Sequence, residues 1–467
     1  YRRGSVLLLG AGAALVAALF AGEPLLAHWT ETFMGSAARF VAQFFPIFLL
    51  GAVFAKLMED SGAVAAIADW LTAKLGAGRA MLAVVIAGAA VTYGGVSLFV
   101  AYFVLAPMAV ALFRAADIPR RLMPAAICLG SSTFTMSALP GSPAIPNAIP
   151  TAFFGTTPFA APGLGIAAAA VMAAIGMWWL NRAEAAARAR GEGFGDDRPG
   201  AAEAAADDPI VRERAVASRD FDPAEIHRSP AAAVGPPILF AALPLIVVVV
   251  VNLLMSLVIL PRIDTGFLAE PRFGGITLAS VAGVWSVATA LLAAILVHLA
   301  LNGRRVPVLR ATMDAGANAA VLPVLSVGSL VGFGAVVAAM PAFAVVRDWV
   351  LGIGGGPLVS LAVATNVLAA LTGSASGGLT IALDALGPTY MALAAERGID
   401  PGLLHRIAVI GAGTLDILPH NGAIITLLAV CGCTHRESYL DIVMVAIVSS
   451  LAALGAVIVL GSLFGSF

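Results

Sequence analysis

The sequence predicts an all-α polytopic membrane protein with inverted-topology repeats, re-entrant helical hairpins and broken transmembrane helices. Three observations predict this class: a strongly apolar composition, two matching half-sequences, and interruptions at equivalent places in both halves. Of the 467 residues, 60% are hydrophobic and only 11% are charged. Soluble domains carry about 25% charged residues. A bilayer is therefore expected to be the main solvent of this chain.

Long apolar segments recur along the sequence. Residues 6–22, 238–259 and 281–301 are three examples, and none has the charged face of a soluble amphipathic helix. Runs of about 18 or more apolar residues are typical of membrane-spanning helices. The first run lacks a small-x-small cleavage site, so it is expected to remain as a membrane helix. A net charge of −1 offers no basic surface for nucleic acid.

One segment is too polar to lie in lipid. It is rich in Arg, Asp, Glu and Ala, with Gly and Pro interleaved, which indicates a charged, solvated connector between two membrane halves. The sequence is accordingly divided into an N-terminal membrane helix and loop (1–36), a first inverted repeat (37–180), the connector (181–234), linking membrane helices (235–311) and a second inverted repeat (312–467).

The two halves match in order at a nearly constant offset. Asp69-Trp70 corresponds to Asp348-Trp349, and residues 135–142 correspond to residues 414–421. Arginines cluster at segment ends that the positive-inside rule places in the cytoplasm. With the N-terminus inside, the first repeat then begins outside and the second begins inside. Such inverted repeats are common among secondary transporters.

Each half contains interruptions of the apolar pattern. Residues 79–114 and 356–395 each hold two arms of roughly 14 to 18 residues, shorter than the ~20 that a full span needs. Glycine-rich tips join the arms, which predicts re-entrant hairpins. The following helices, within residues 122–154 and 403–431, are broken by Pro, Gly and polar residues. Irregular backbone at membrane depth must be buried or line a wet cavity, so the four interruptions predict one binding site near the midplane.

The hairpin tips and the breaks supply the candidate substrate ligands. Helix N-termini after such turns offer N–H groups and partial positive charge to a carboxylate, whereas hydroxyls and unwound carbonyls suit a cation. The alternative is that the glycines only permit tight turns or close helix packing. The predicted substrate-binding residues are Gly94, Gly95, Ser97, Ser142, Asn147, Ser376, Gly377, Gly378, Thr380, His420 and Asn421.

Ion coupling is predicted at Asp416 and His420, together with Thr92 and Ser374 at the tips. An ionisable residue inside a membrane is costly and is a functional hypothesis by default, and histidine titrates near neutral pH. Asp416 and His420 share a face only if the turn between them is helical, which Pro419 opposes. The alternative is that each satisfies local backbone in the break. The coupling ion is Na⁺ or H⁺, and no cofactor or metal centre is expected.

Three function classes are compatible with these features. No Gly-x4-Gly-Lys-Ser/Thr loop and no His-Glu-x-x-His motif occurs, which argues against an ATP-driven pump and a zinc peptidase. A passive channel or pore for small anions would use stacked rings of one residue type. A membrane-embedded enzyme would need a nucleophile and a base, or a metal cluster, at membrane depth. For that purpose the sequence offers only Asp416 and His420. The paired broken helices favour a secondary transporter over a channel or an enzyme.

Four segments resemble the gluconate permease (GntP) family of the ion transporter superfamily. They are GAVFAKLMEDSGAVAAIADWLTAKLGAGRA, PRRLMPAAICLGSS, ALPGSPAIPNAIPT and LLHRIAVIGAGTLDILPHNGAIITLLAV. The resemblance implies H⁺- or Na⁺-coupled symport of small carboxylates across the inner cell membrane. It also implies a homodimeric elevator, in which a scaffold part dimerises and a transport part moves.

The sequence departs from the gluconate-type pattern at the first break and at the second. Gluconate-type members carry a histidine where Ser142 stands here, and Asn-Asp near the position of His420-Asn421. Gluconate is therefore expected to fit less well than a smaller, less hydroxylated acid such as 3-hydroxybutyrate.

Overall fold

The computed structural model describes residues 5–195, 201, 204–205, 208–218 and 221–467. Within these residues, every regular element is a helix. Eight helices are long and apolar enough to cross a membrane by length and composition. The predicted all-α polytopic class is confirmed.

The N-terminal half contains one re-entrant hairpin and one broken helix. The hairpin arms, α4 and α5, have 14 and 18 residues, and the break separates α6, α7 and α8. The helices are α1 (Val6–Ala21), α2 (Leu25–Asp60), α3 (Ala63–Leu75), α4 (Ala80–Tyr93), α5 (Leu98–Ala115), α6 (Met123–Ser131), α7 (Phe134–Ser137), α8 (Ile145–Phe154) and α9 (Pro162–Ala189).

The C-terminal half repeats this order after the connector helix and two linking spans. Its hairpin arms are α15 and α16, and its broken helix consists of α17 and α18. The helices are α10 (Pro209–Ser218), α11 (Ile238–Arg262), α12 (Leu278–Arg305), α13 (Leu309–Ala339), α14 (Phe343–Leu351), α15 (Gly356–Thr372), α16 (Ala375–Arg397), α17 (Pro401–Leu415), α18 (Gly422–Val430) and α19 (His435–Phe464).

Equivalent helices of the two halves run in opposite directions. A Cβ added at Gly316 would lie 2.8 Å from the Cα of Val53, whereas one added at Gly332 would lie 2.7 Å from the carbonyl oxygen of Phe33. The later residue of α13 therefore contacts the earlier residue of α2, so these two helices are antiparallel. Likewise, α9 and α19 pack together with the Gly163 N–H near the start of α9 donating to the carbonyl of Phe467, 2.7 Å away. The inverted-repeat prediction is confirmed.

Three of the predicted domain boundaries fall inside helices. Positions 37, 181 and 312 lie within α2, α9 and α13, because each helix continues past the change in polarity that suggested the boundary. The division of the chain into these domains stays a prediction.

The connector, which the sequence predicts to be solvated, is buried in part. Phe221, Asp222 and Ile226 have relative exposures of 0%, 2% and 2%. The described helix α10 packs against α18 and α13. Apolar side chains within this otherwise charged segment give it a face that can pack on the membrane helices. Residues 196–200 and several others of the connector lie outside the described residues.

A buried charge cluster at the end of α2 holds the connector in place. Lys56 donates to Asp60 (2.9 Å) and to the carbonyl of Ile226 in the connector. Asp60 in turn accepts from Ser229 of the connector and from Thr312 of α13. Lys56 is 0% exposed, so its charge is buried beneath the connector.

Candidate functional site

A cavity of about 70 Å³ lies where the first hairpin tip, the first break and the second hairpin tip meet. Thr92 and Gly95 come from the first tip, Ala144 and Ile145 from the first break, and Ser376 from the second tip. Residues of α2 and α12 complete the wall. Three of the four predicted interruptions therefore meet here, between elements of both repeats, whereas no residue of the second break is among the described residues that line the cavity. We call this the central cavity.

Three helices begin at the wall of the central cavity. Helix α5 starts at Leu98, α8 at Ile145 and α16 at Ala375. At α5 and α8 no side chain caps the first turn, whereas the Ser374 hydroxyl accepts from the N–H of Gly377 in α16 (3.2 Å). Helix starts carry N–H groups without intrahelical partners and a partial positive charge. The backbone thus makes the cavity favourable for an anion.

Hydroxyl groups supply the polar side chains of the cavity. Among the described residues that line it, the polar side chains are Thr92, Ser131, Thr135 and Ser376. The hydroxyl oxygens of Thr92 and Thr135 lie 3.3 Å apart and link the first tip to the first break. Hydroxyls both donate and accept, so this wall suits a small solute with carboxylate and hydroxyl groups.

The first hairpin tip has little free space on its outer side. Gly95 has φ +96°, a conformation that L side chains rarely adopt, and its added Cβ would lie 3.4 Å from Leu291 and Pro143. The Tyr93 hydroxyl donates to the carbonyl of Pro140 in the break (2.7 Å). Asn252 of α11 donates to the carbonyl of Gly141 (2.9 Å). The first tip is therefore hydrogen-bonded to the first break, and the first break is hydrogen-bonded to the linking helix α11.

Asn147 has its whole hydrogen-bonding capacity occupied within the protein. Its Nδ2 donates to the carbonyls of Ser142 (2.9 Å) and Pro158 (3.0 Å), and its Oδ1 lies 3.2 Å from Nε2 of His405 and 3.4 Å from Nη1 of Arg406. These contacts fix the amide orientation and make His405 Nε2 the protonated ring nitrogen, because Oδ1 only accepts. The geometry favours a structural role for Asn147, and substrate contact there stays a prediction.

Arg406 and His405 are two residues beside the first break that the sequence analysis does not single out. Both are 0% exposed. The guanidinium of Arg406 donates to the carbonyl of Ala160 (2.6 Å) and lies 3.5 Å from that of Ser137. Thus α17 of the second repeat is joined to the first break. A charged residue within an otherwise apolar segment was the available signal.

The second break is organised by Asn421. Its Nδ2 donates to the carbonyl of Gly373 (2.8 Å) and to Asp416 (2.6 Å), and its Oδ1 accepts from the N–H groups of Ala423 and Ile424. Asp416 is 0% exposed. The segment between α17 and α18 is not helical, so Asp416 and His420 do not share a helical face. Their coupling role stays a prediction.

Two further cavities lie beside the second hairpin. One of about 400 Å³ separates it from α1 and α13, and Thr372, Gly373 and His420 line one end. The other, of about 260 Å³, is lined by Thr380 together with Arg39 and Asp384. His420 and Thr380 therefore border spaces other than the central cavity. His420 also bonds to the carbonyl of Ala370 (3.0 Å).

The remaining predicted residues lie near the central cavity without all contacting it. Ser97 and Ser142 are buried, at 5% and 1% exposure, and Ser142 accepts from the N–H of Ala144 (3.4 Å). A Cβ at Gly378 would lie 2.4 Å from the Cα of Ala369, which favours the packing interpretation of that glycine. Gly94 and Gly377 adjoin the tips. Across the described residues, no three His, Cys, Asp or Glu side chains are grouped to hold a metal ion.

Comparisons with known proteins agree with this architecture. The chain is 40% identical to an uncharacterised transporter, YxjC, of Bacillus subtilis (strain 168), over 100% of this chain and 96% of that relative. The structure is similar to that of the YdaH transporter of Alcanivorax borkumensis, with a TM-score of 0.55, 16% identity, and coverage of 99% and 98% of the two chains. A family model described as GntP family permease matches residues 5–188.

The fold and the central cavity, together with these relatives, define a multi-pass membrane transporter. Within that class, the chain belongs to the GntP permease family. The family resemblance expected from the sequence is confirmed.

Proposed function

We propose that this protein is a secondary active transporter that carries small organic carboxylates by symport with H⁺ or Na⁺. The observation that carries the proposal is the meeting of three helix starts at one hydroxyl-lined cavity. Helix N-termini bind carboxylates through backbone N–H groups and the helix dipole. Candidate substrates are 3-hydroxybutyrate, gluconate and related hydroxy acids.

The volume of the central cavity favours the smaller of these acids. It measures about 70 Å³, against about 400 and 260 Å³ for the two cavities beside the second hairpin. A short hydroxy acid needs less space than the longer polyhydroxy chain of gluconate. We therefore place 3-hydroxybutyrate ahead of gluconate.

Asp416 is the proposed coupling group, and His420, Thr92 and Ser374 are the residues proposed to assist it. Asp416 lies on unwound backbone of the second break and is bonded to Asn421 (2.6 Å). A proton or a sodium ion would offset the cost of a buried carboxylate at that depth. The proposal includes a homodimer in the inner cell membrane, with a moving transport part, as the family fold implies.

Uptake by the purified protein in liposomes tests the proposal. 3-Hydroxybutyrate should accumulate above its external concentration when an inward H⁺ or Na⁺ gradient is imposed, and gluconate should accumulate less. Asp416→Asn should abolish accumulation but preserve exchange of substrate across the membrane. Uptake that only equilibrates, with or without a gradient, would indicate a passive pore and contradict the proposed symport.

A further inference from the structure

We propose that Arg406 is the fixed positive charge by which the central cavity selects carboxylates over neutral molecules of the same shape. The inference rests on the proposed carboxylate transport and assigns its anion selectivity to one positioning residue. Arg406 acts from behind the wall of the cavity, through Ser137 and Asn147.

The first step is that Arg406 is a buried charge with neutral partners. Its side chain is 0% exposed. In the part of the chain that the structure describes, its hydrogen-bond partners are the carbonyl oxygens of Ala160 and Ser137 and the amide oxygen of Asn147. These oxygens solvate the guanidinium but leave its unit charge without a counter-charge. A buried charge in that condition favours a nearby anion.

The second step is that Arg406 contacts two residues that are each next in sequence to a residue lining the cavity. Ser137 and Asn147, which contact Arg406, directly follow Met136 and Pro146, which line the central cavity. The neighbouring ring of His405 is held as the Nε2–H tautomer between Asn147 and Thr156. Among the described residues, the ionisable side chains that interact with Arg406 are His405 and Tyr93, so the immediate surroundings offer dipoles rather than a counter-charge.

The third step concerns the two acidic residues nearest to Arg406 along the same segment. Asp400 lies six residues before Arg406, where it is exposed and accepts from the N–H of Gly402 at the start of α17. Asp416 follows the opposite end of α17, ten residues from Arg406. At 1.5 Å per residue this is about 15 Å along the helix axis, and Asp416 is bonded to Asn421. Each break thus carries one charge, positive at the first and negative at the second. A carboxylate in the central cavity beside Met136 and Pro146 would interact favourably with Arg406, which contacts the residues that follow them.

A purely structural role for Arg406 makes a different prediction. If the guanidinium only joins α17 to the first break, its loss should weaken the binding of charged and neutral ligands alike. If its charge selects the substrate, its loss should weaken carboxylate binding specifically. The ratio of the two affinities separates these explanations.

The test measures that ratio for the full chain in nanodiscs, by calorimetric binding of 3-hydroxybutyrate and of its uncharged amide, 3-hydroxybutyramide. Arg406→Gln should reduce carboxylate affinity about tenfold, the scale expected for a charge near but not touching the ligand. Affinity for the amide should change less than about twofold. Arg406→Lys should retain most of the preference, because it retains the charge.

Arg120→Gln is the matched control. Arg120 is also buried and donates to a main-chain carbonyl, that of Cys431 (2.9 Å), but neither Arg120 nor Cys431 is next in sequence to a residue that lines the central cavity. This variant should keep the wild-type affinity ratio. If Arg406→Gln does not fold, Asn147→Asp places a negative charge beside the intact guanidinium and should lower the ratio in the same direction.

Three outcomes would overturn the inference. Equal losses for both ligands in Arg406→Gln indicate a structural role, and an unchanged ratio in a folded Arg406→Gln or Asn147→Asp variant excludes charge selection. If the wild-type protein binds neither ligand, the proposed function fails and the inference fails with it. If the wild type prefers the carboxylate but the variants keep that preference, only the role of Arg406 is rejected.

Discussion

The two hairpin tips occupy equivalent places in the two repeats, yet their surroundings differ. At the first tip, a Cβ on Gly94 would lie 2.6 Å from Leu245 of α11, and one on Gly95 would lie 3.4 Å from Leu291 of α12. At the second tip, Thr372 and Gly373 border a cavity of about 400 Å³. The first tip is packed against linking helices and borders the smaller central cavity, whereas the second tip packs against Leu330 of α13 and borders a larger space.

This difference shows that pseudo-symmetry of the chain does not extend to packing. Close-packed groups resist displacement because movement forfeits contacts on all sides, whereas a group beside a void loses fewer. The second tip is joined mainly to its own break, through the bonds from Asn421 to Gly373 and from His420 to Ala370. We therefore expect the second tip to be the easier of the two to move.

The largest expected effect concerns the residues at matching positions in the two breaks, Asn421 and Ser142. Asn421→Ala removes the N-cap of α18 and the bonds to Gly373 and Asp416. The loss should reduce the free energy of unfolding by about 2–4 kcal/mol, since a cap is worth about 1 and a bond to a charged group about 1.5–3.

Ser142→Ala is the matched substitution in the first break. Ser142 accepts one long bond from Ala144 (3.4 Å), so its loss should cost less than about 1 kcal/mol. Chemical unfolding of both variants in detergent measures the difference. Equal costs would show that the two breaks are supported alike and would contradict the comparison.

A smaller effect is expected from crowding the first tip. Gly94→Ala places a Cβ 2.6 Å from Leu245 and should destabilise the protein by about 1–3 kcal/mol through overpacking. Leu245→Gly combined with Gly94→Ala should cost less than the sum of the two single substitutions, because both the Cβ and the Cδ2 of Leu245 lie 2.6 Å from the added atom. Gly12→Ala serves as control, since no atom lies within 4 Å of its added Cβ. If the losses of unfolding free energy simply add in the double variant, Gly94 and Leu245 do not compete for one space and the first tip is not packed against α11.

The repeats, hairpins and breaks were predictable because their signals are local. Apolar run lengths, glycine tips and the prolines of residues 140–150 act through neighbouring backbone, and Thr92, Gly95 and Ser376 followed from their places in those tips. The hydrogen-bond partners of Asn147 were not predictable, because His405 and Arg406 contact it from more than 250 residues away in sequence. Burial of the connector depends likewise on a tertiary partner, Asp60.

A third prediction compares solvent access at the tips through a matched pair of threonines. Thr92 and Thr372 each donate to the carbonyl four residues earlier, at 2.7 and 2.8 Å. In a background without Cys128, Cys431 and Cys433, Thr372→Cys should react with a small apolar maleimide about tenfold faster than Thr92→Cys, because reactivity follows access. Mass spectrometry over time gives both rates. A faster reaction at position 92 would reverse the comparison.

The smallest expected effect comes from filling the space beside the second tip. Ala13 of α1 lines the cavity of about 400 Å³, and Ala13→Phe would occupy part of it. If the second tip moves into that space during transport, uptake should slow about threefold, or about 0.6 kcal/mol in activation free energy. Stability should be nearly unchanged, because the added ring enters a void rather than a packed core.

Val16→Phe is the control for this last substitution, since Val16 lies on the same helix and is 52% exposed. It adds a ring of the same kind at a position outside the cavity lining. Initial rates of uptake in liposomes should therefore fall for Ala13→Phe and not for Val16→Phe, with equal amounts of folded protein verified by gel filtration. Equal rates for the two variants would show that the space beside the second tip is not used during transport, and the contrast between the tips would then be one of packing without a consequence for movement.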